Sequence, residues 1–279
     1  MNASSTDAGT PVQLERRGPF WFARLNRADK RNALNEAMVD ALASACDTVA
    51  GDGEARALVI WGAGGNFCAG GDFGRFQQLL ASPAPAGADP VAIDNRSFGA
   101  MLERIAALPV PTIGVVRGAA MGGGCGLACA LDRVIAAEDA SFAMPEVTLG
   151  VVPAQIAPFV ARRIGATRAR WLMLAASRLD ARAALAAGIA DVVLPASDLA
   201  AAVLVELQSL ALAEPSALRT TKLITARAVE QPLAAALDAA ADDFARLLRK
   251  GMALEGMAAA RERRRPAWHG QVPTLPEFT

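Results

Sequence analysis

The sequence predicts an α/β fold that ends in an all-α segment. Strand-type apolar runs alternate with helical patterns up to about residue 156, and only helical patterns follow. With 279 residues, 53% of them hydrophobic, the chain can form one large core and an appendage. We therefore divide it into a flexible leader over residues 1–18, a core over 19–196 and a helical segment over 197–279.

The predicted core elements follow from local patterns. Asn35 is a suitable N-cap for the helix that follows it. The stretch 81–90 is rich in proline and alanine and indicates a mobile loop. The remaining elements are strand 20–25, helix 35–49, strand 55–61, a helix from Phe73, helix 101–108, strand 111–116, a helix after the second glycine turn, and strand 132–136.

The C-terminal half carries clear helix signals. Asp180 is the predicted N-cap of helix 181–187, which Gly188 ends. Pro232 begins a long amphipathic helix that Gly251 ends. Its apolar face favours a contact between subunits, with packing against the body as the alternative; the face consists of Leu233, Leu237, Phe244, Leu247 and Leu248.

Composition narrows the possible functions. The formal net charge is zero and the pI is about 6.6, so charge gives no reason to expect nucleic-acid or anionic-membrane binding. No stretch resembles a signal peptide or a membrane span, and the four cysteines have no framework spacing. We expect a cytoplasmic protein with reduced thiols. There is no Tyr, and the single His269 lies near the C-terminus, so we expect no metal site and assign acid–base work to other side chains.

Two glycine-rich turns and one glutamate are the strongest chemical signal. Residues 66–72 (NFCAGGD) and 121–126 (MGGGCG) each follow an apolar run and precede a helical pattern. Backbone N–H groups at a helix start lack internal partners, so two such turns that converge would form an oxyanion hole. Glu146 lies in an apolar stretch shortly afterwards and could transfer a proton. Close packing of a turn on a neighbouring helix is the alternative reason for the glycines. Neither turn fits a dinucleotide or Walker pattern.

Five segments, in order, resemble the crotonase (enoyl-CoA hydratase/isomerase) superfamily. They are residues 25–34 (LNRADKRNAL), 67–72 (FCAGGD), 118–125 (GAAMGGGC), 142–150 (FAMPEVTLG) and 255–257 (EGM). The resemblance implies a crotonase-like spiral core of ββα turns and a C-terminal all-α trimerisation segment. It also implies homotrimers or dimers of trimers.

The same resemblance implies an acyl-CoA substrate and assigns roles to residues. The thioester oxygen would accept hydrogen bonds from the Gly71 and Gly123 N–H groups, and Glu146 would be the catalytic acid–base group. The resemblance implies no separate cofactor, because coenzyme A is part of the substrate. The implied substrate- and CoA-binding residues are Arg27, Lys30, Arg31, Ala33, Ala69, Asp72, Gly126 and Gln155, with Arg263–Arg265 of a neighbouring subunit assisting.

The sequence departs from two-glutamate hydratases at one position. Gly126 occupies the position of their first catalytic glutamate, whereas Glu146 matches the second. Residues 149–160 are more similar to hydratases of branched glutaconyl-CoA thioesters, so hydration of such a substrate is the leading hypothesis. A Δ3,Δ2-enoyl-CoA isomerase and a non-catalytic acyl-CoA-binding scaffold are the alternatives. The candidates for contact with a distal carboxylate are Arg75, Gln77, Gln78 and Gln155.

Overall fold

Nine strands form two sheets in the computed structural model, which describes residues 9–81, 87 and 89–279. In chain order they are β1 (Val12–Arg17), β2 (Phe20–Leu25), β3 (Ala57–Gly62), β4 (Thr112–Val116), β5 (Ala119–Met121), β6 (Arg133–Ala137), β7 (Ser141–Ala143), β8 (Arg178–Asp180) and β9 (Val192–Leu194). The larger sheet has the order β1-β2-β3-β4-β6-β9, and only its β1–β2 pair is antiparallel. The smaller sheet has the order β5-β7-β8.

Eleven α-helices connect and cover these sheets in the described chain. They are α1 (Glu36–Gly51), α2 (Phe73–Ala81), α3 (Pro90–Ala106), α4 (Gly123–Ala130), α5 (Ala157–Ile164), α6 (Ala166–Leu174), α7 (Ala181–Ala187), α8 (Leu199–Leu212), α9 (Pro215–Glu230), α10 (Leu233–Arg249) and α11 (Met252–Glu262). The predicted caps are confirmed: the Asn35 and Asp180 side chains accept hydrogen bonds from the N–H groups of Met38 and Ala183.

The chain alternates between the two sheets as it spirals. β4 lies in the larger sheet, β5 in the smaller one, and α4 follows; β6 and β7 repeat the change of sheet. Within each sheet the corresponding strands are parallel, β4 with β6 and β5 with β7. This arrangement confirms the predicted α/β core followed by helices.

The hydrophobic core has two parts. One fills the space between the sheets and helices α1, α3, α4 and α5, and it includes all four cysteines, which are buried and unpaired. The other lies where Leu199, Val203 and Leu207 of α8 pack on the larger sheet. Phe278, near the end of the chain, packs edge-on against Trp61 of β3 with ring centroids 5.3 Å apart.

Three sequence predictions need correction. Residues 12–17 of the predicted leader form β1, because their backbone pairs antiparallel with that of β2. The region after residue 156 is not only helical: the three-residue strands β8 and β9 complete the two sheets, and such short strands carry little pattern. The helix predicted over 101–108 begins at Pro90, with Asp89 as its N-cap. Much of the predicted loop 81–90 lies outside the described residues.

The long C-terminal helix begins after Pro232 as predicted, and its apolar face is uncovered. Leu233, Leu237 and Phe244 expose 71%, 60% and 67% of their surface, so this face does not pack on the body of its own chain. No single helix in the described chain is long and apolar enough to cross a membrane. The helical segments Ala196–Leu212 and Pro215–Glu230 are long and apolar enough only when they are taken together, and the chain bends by 105° between them.

Candidate active site

The two glycine turns lie side by side because their flanking residues pair. The Cys68 N–H donates to Ala119 O over 2.9 Å, and the Met121 N–H donates to Cys68 O over 2.9 Å. A Cβ atom on Gly70 would lie 2.7 Å from Met121 O and 3.6 Å from Gly123 N. Gly70 therefore needs to be glycine for the turns to approach so closely.

One backbone N–H from each turn remains available. The neighbours of Gly71 are engaged with Leu34: Gly70 O accepts the Leu34 N–H, and the Asp72 N–H donates to Leu34 O. Gly123 is the first residue of α4, so its N–H has no acceptor within the helix. In the described chain, neither Gly71 nor Gly123 donates its N–H in a backbone bond outside the regular elements. This is the donor pair that an oxyanion hole requires.

The Glu146 carboxylate lies over the second turn. Gly122 has a φ of 50°, and a Cβ there would lie 2.8 Å from Glu146 Oε1. Glu146 Oε2 is buried and has no hydrogen-bond partner in the described chain. Burial raises the pKa of the Glu146 carboxyl above its ordinary value, and a backbone hydrogen bond opposes the shift. Such a carboxylate is a better proton acceptor near neutral pH than an exposed one.

These groups line one cavity of about 100 Å³. Its wall brings together residues from both turns, from α1 and α3, and from the segment before α5. The lining residues that bear on the chemistry are Leu34, Gly71, Asp72, Arg75, Asp94, Asn95, Phe98, Gly123, Glu146, Gln155 and Ile156. No histidine lines this cavity, and no group of three or more His, Cys, Asp or Glu side chains in the described chain could hold a metal ion.

Gln155 forms the wall of the cavity next to α3. Its Nε2 donates to Asn95 Oδ1 over 3.0 Å. Its Oε1 occupies the space beside Gly99, where a Cβ would lie only 1.9 Å away. A glycine inside a helix lowers the stability of the fold by roughly 0.5–1 kcal/mol relative to alanine. Gly99 therefore has a clear use, because it lets the Gln155 carboxamide pack against α3.

Arg75 is the cationic side chain among the lining residues, and it forms ion pairs with two acidic side chains. Its guanidinium lies 2.9 Å from Asp94 Oδ1 and 3.2 Å from Glu36 Oε2. With Glu36, Asp72, Asp94 and Glu146 on the same wall, acids outnumber cations. Gln77 and Gln78, the other candidates for a distal carboxylate, are exposed and do not line this cavity.

Gly126 does not line the cavity, and its assignment as a substrate-binding residue stays a prediction. It is buried in α4, and a Cβ there would lie 2.2 Å from Ile156 Cγ2 and 2.5 Å from Ile156 Cβ. The space beside this position, which a glutamate would need, is therefore filled by the Ile156 side chain.

The residues assigned to CoA form one cluster beside the first turn. The Ala69 N–H donates to Arg31 O over 2.9 Å, and the Ala33 N–H donates to Lys30 O over 3.1 Å. The Arg27 guanidinium donates to Ala33 O and forms an ion pair with Asp72 at 3.0 Å. This pairing lowers the pKa of the Asp72 carboxyl. Lys30 and Arg31 are exposed at the surface.

Two of the three C-terminal arginines, Arg264 and Arg265, have side-chain partners within the chain. Arg264 forms ion pairs with Glu255 and Glu262, each at 2.7 Å, and the Arg265 side chain lies 2.8 Å from His269 Nε2. The Arg264 contact holds the pKa of the Glu255 carboxyl at about 2.

Sequence reasoning missed two contributions to the site. The first half of α3 supplies Asp94, Asn95 and Phe98; a proline at the first helical position after Asp89 was the available signal. Asn32 is fully buried, and its side chain joins three backbone groups, those of Arg27, Ala63 and Asn66. No periodic pattern reveals such a residue.

Comparison with known proteins identifies the protein family of this chain. Residues 21–271 match the family model described as enoyl-CoA hydratase/isomerase. The chain belongs to the enoyl-CoA hydratase/isomerase family. It is 33% identical over 256 residues to "Probable enoyl-CoA hydratase echA8" of Mycobacterium tuberculosis (strain CDC 1551 / Oshkosh), covering 91% of this chain and 96% of the relative.

Two further members of the enoyl-CoA hydratase/isomerase family show how far the similarity extends. "Methylglutaconyl-CoA hydratase, mitochondrial" of Mus musculus is 32% identical over 256 residues, covering 88% of this chain and 78% of the relative. The crystal structure of an enoyl-CoA hydratase/isomerase from Marinobacter aquaeolei is 40% identical with a TM-score of 0.89, and the match covers 93% of this chain and 99% of that one. The crotonase-type fold is therefore confirmed over nearly the whole chain.

Proposed function

We propose that this protein adds water to an α,β-unsaturated acyl-CoA thioester, with Glu146 as its acid–base group. The observation that carries the proposal is that the Glu146 carboxylate, whose buried Oε2 has no hydrogen-bond partner in the described chain, lines one cavity with Gly71 and Gly123, whose N–H groups make no backbone bond outside the regular elements. Relatives named as enoyl-CoA hydratases support the reaction class.

The proposed reaction needs only one carboxylate. As the water oxygen bonds to Cβ, Glu146 takes the water proton and the C=C electrons move to the thioester oxygen. The Gly71 and Gly123 N–H groups hold this oxyanion, and removing one such donor typically costs roughly 2.7–4 kcal/mol. Glu146 then returns the proton to Cα and is again ionised. The proposed reaction requires no metal or redox cofactor.

Isomerisation is the second candidate, because one carboxylate beside an oxyanion hole is also sufficient to move a proton from C2 to C4. The two reactions differ in whether a water molecule has access to Cβ of the substrate. Hydration requires room for a water molecule at Cβ, whereas isomerisation requires the cavity to exclude it. The polar Asn95 side chain on the cavity wall favours a held water and therefore hydration.

For the acyl group, the charges of the cavity favour a neutral branched chain over a glutaconyl-type chain with a free carboxylate. Arg75 is already neutralised by Asp94 and Glu36, so a substrate carboxylate would have to displace one of them. It would also approach an acid-rich wall, where like charges repel.

A panel of enoyl-CoA thioesters, analysed by mass spectrometry, tests both parts of this proposal. We expect products heavier by one water, and a higher kcat/KM for a neutral branched 2-enoyl-CoA than for its carboxylated counterpart. Products of unchanged mass would support isomerisation instead. Preference for the carboxylated thioester would mean that Arg75 exchanges its partner, and Arg75→Gln should then reverse that preference.

We also propose that the chain forms trimers or dimers of trimers through α10 and α11. The uncovered apolar side chains of Leu233, Leu237, Phe244, Leu254 and Met257 support this assembly. We place the CoA moiety beside Arg27, Lys30, Arg31 and Ala69, where exposed cations adjoin the first turn.

A further inference from the structure

A second, larger depression adjoins the catalytic cavity. It has a volume of about 740 Å³ and lies between α3, α5 and α9. Gln155 lines both the catalytic cavity and this groove, and it is therefore their common wall. The apolar side chains of the groove include Leu108, Pro158, Phe159, Leu223, Ala226 and Val229.

The charged side chains around the groove are engaged within the chain: Arg219 donates to the backbone oxygens of Asp52 and Ala55, and the others form ion pairs. Arg96 contacts Glu103 at 2.6 Å, and Arg162 contacts Glu230 at 3.1 Å. Lys222 contacts Asp132 at 2.6 Å. These cations are therefore not free to bind an anionic occupant, and the apolar lining favours an uncharged hydrocarbon.

The catalytic cavity is much smaller than the groove, about 100 Å³ against about 740 Å³. The groove therefore offers more room for the distal part of a long acyl group than the catalytic cavity does. The Gln155 side chain is attached to this wall by one hydrogen bond to Asn95 and by its contact with Gly99, and it can rotate about its own single bonds.

We propose that the Gln155 carboxamide separates the catalytic cavity from an acyl-tail groove, and that its displacement admits long or branched apolar acyl chains. Gln155 is then a specificity-determining residue, and the groove between α3, α5 and α9 takes the hydrocarbon tail. This inference rests on the proposed hydratase function and adds the class of acyl group to it.

Chain-length selectivity is the test, measured as the ratio of kcat/KM for decenoyl-CoA to that for crotonyl-CoA. Ala226→Trp fills the groove and should lower the ratio about tenfold or more, the scale on which apolar pockets discriminate chain length. Gln155→Ala removes the wall and should raise the ratio. Ala228→Trp is the matched control, because Ala228 is exposed on α9 but does not line the groove; it should leave the ratio unchanged.

The outcomes separate this inference from the function on which it rests. If no enoyl-CoA is hydrated, the proposed function fails. If crotonyl-CoA is hydrated but neither Ala226→Trp nor Gln155→Ala changes the ratio, the groove does not bind the tail and the inference is wrong. A smaller assembly of Ala226→Trp in light scattering, with an unchanged ratio, would instead identify the groove as a contact between copies of the chain.

Discussion

Glu146→Gln should abolish hydration while leaving CoA affinity nearly unchanged. The substitution keeps the size of the side chain but removes the proton acceptor that lies beside Gly122. General-base catalysis contributes roughly 10²–10⁴-fold, and no second carboxylate occupies position 126 to compensate. We therefore expect kcat to fall by about that factor, measured by mass spectrometry on the best substrate.

Dissociation constants for CoA, measured by calorimetry, provide the control for this prediction. They should agree within about twofold between the two proteins, because the proposed CoA cluster lies at Arg27–Ala33 and Ala69. A loss of less than about tenfold in kcat would remove Glu146 from the reaction.

Gly126→Ala should destabilise the fold, although alanine is the better helix former. Helix propensity alone favours alanine by roughly 0.5–1 kcal/mol. The added methyl group would, however, lie 2.5 Å from Ile156 Cβ, which is fixed to the backbone and cannot rotate away. Overpacking of this kind typically costs about 1–3 kcal/mol. We expect a lower free energy of unfolding in urea, and reduced activity because Ile156 and Gln155 shift together.

Gly51→Ala is the matched control, since Gly51 lies in the last turn of α1 and a Cβ there meets nothing within 4 Å. It should be neutral or slightly stabilising. Equal stability changes in the two variants would show that the Ile156 contact does not constrain position 126. The same contact predicts that Gly126→Glu cannot restore a two-carboxylate site.

Much of the fold and of the reactive centre could be predicted because the responsible signals are local. The caps at Asn35 and Asp180 and the glycine turns are short patterns with a direct backbone cause. The resemblance added the convergence of Gly71, Gly123 and Glu146, which lie far apart in the chain. They meet through the parallel pairing of Cys68 with Ala120 and of β5 with β7.

The remaining features depend on contacts that no short pattern encodes. β8 and β9 are strands because they complete existing sheets, and each has only three residues. The filling of the Gly126 site by Ile156 joins residues of α4 to the segment before α5. No sequence pattern accounts for Gly99, which becomes intelligible only from the position of the Gln155 carboxamide.

The central claim, that one carboxylate performs the proton transfers, is tested most directly by the pH dependence of kcat/KM. Glu146 must be ionised to accept the water proton, so activity should be lost as the pH falls through its pKa. Because burial raises that pKa, the midpoint should lie above the ordinary value for glutamate, about 4.3. The account predicts a single acidic limb of unit slope for the native protein and no such limb in the residual activity of Glu146→Gln. An acidic limb with a slope of two, or the same limb retained in Glu146→Gln, would contradict it.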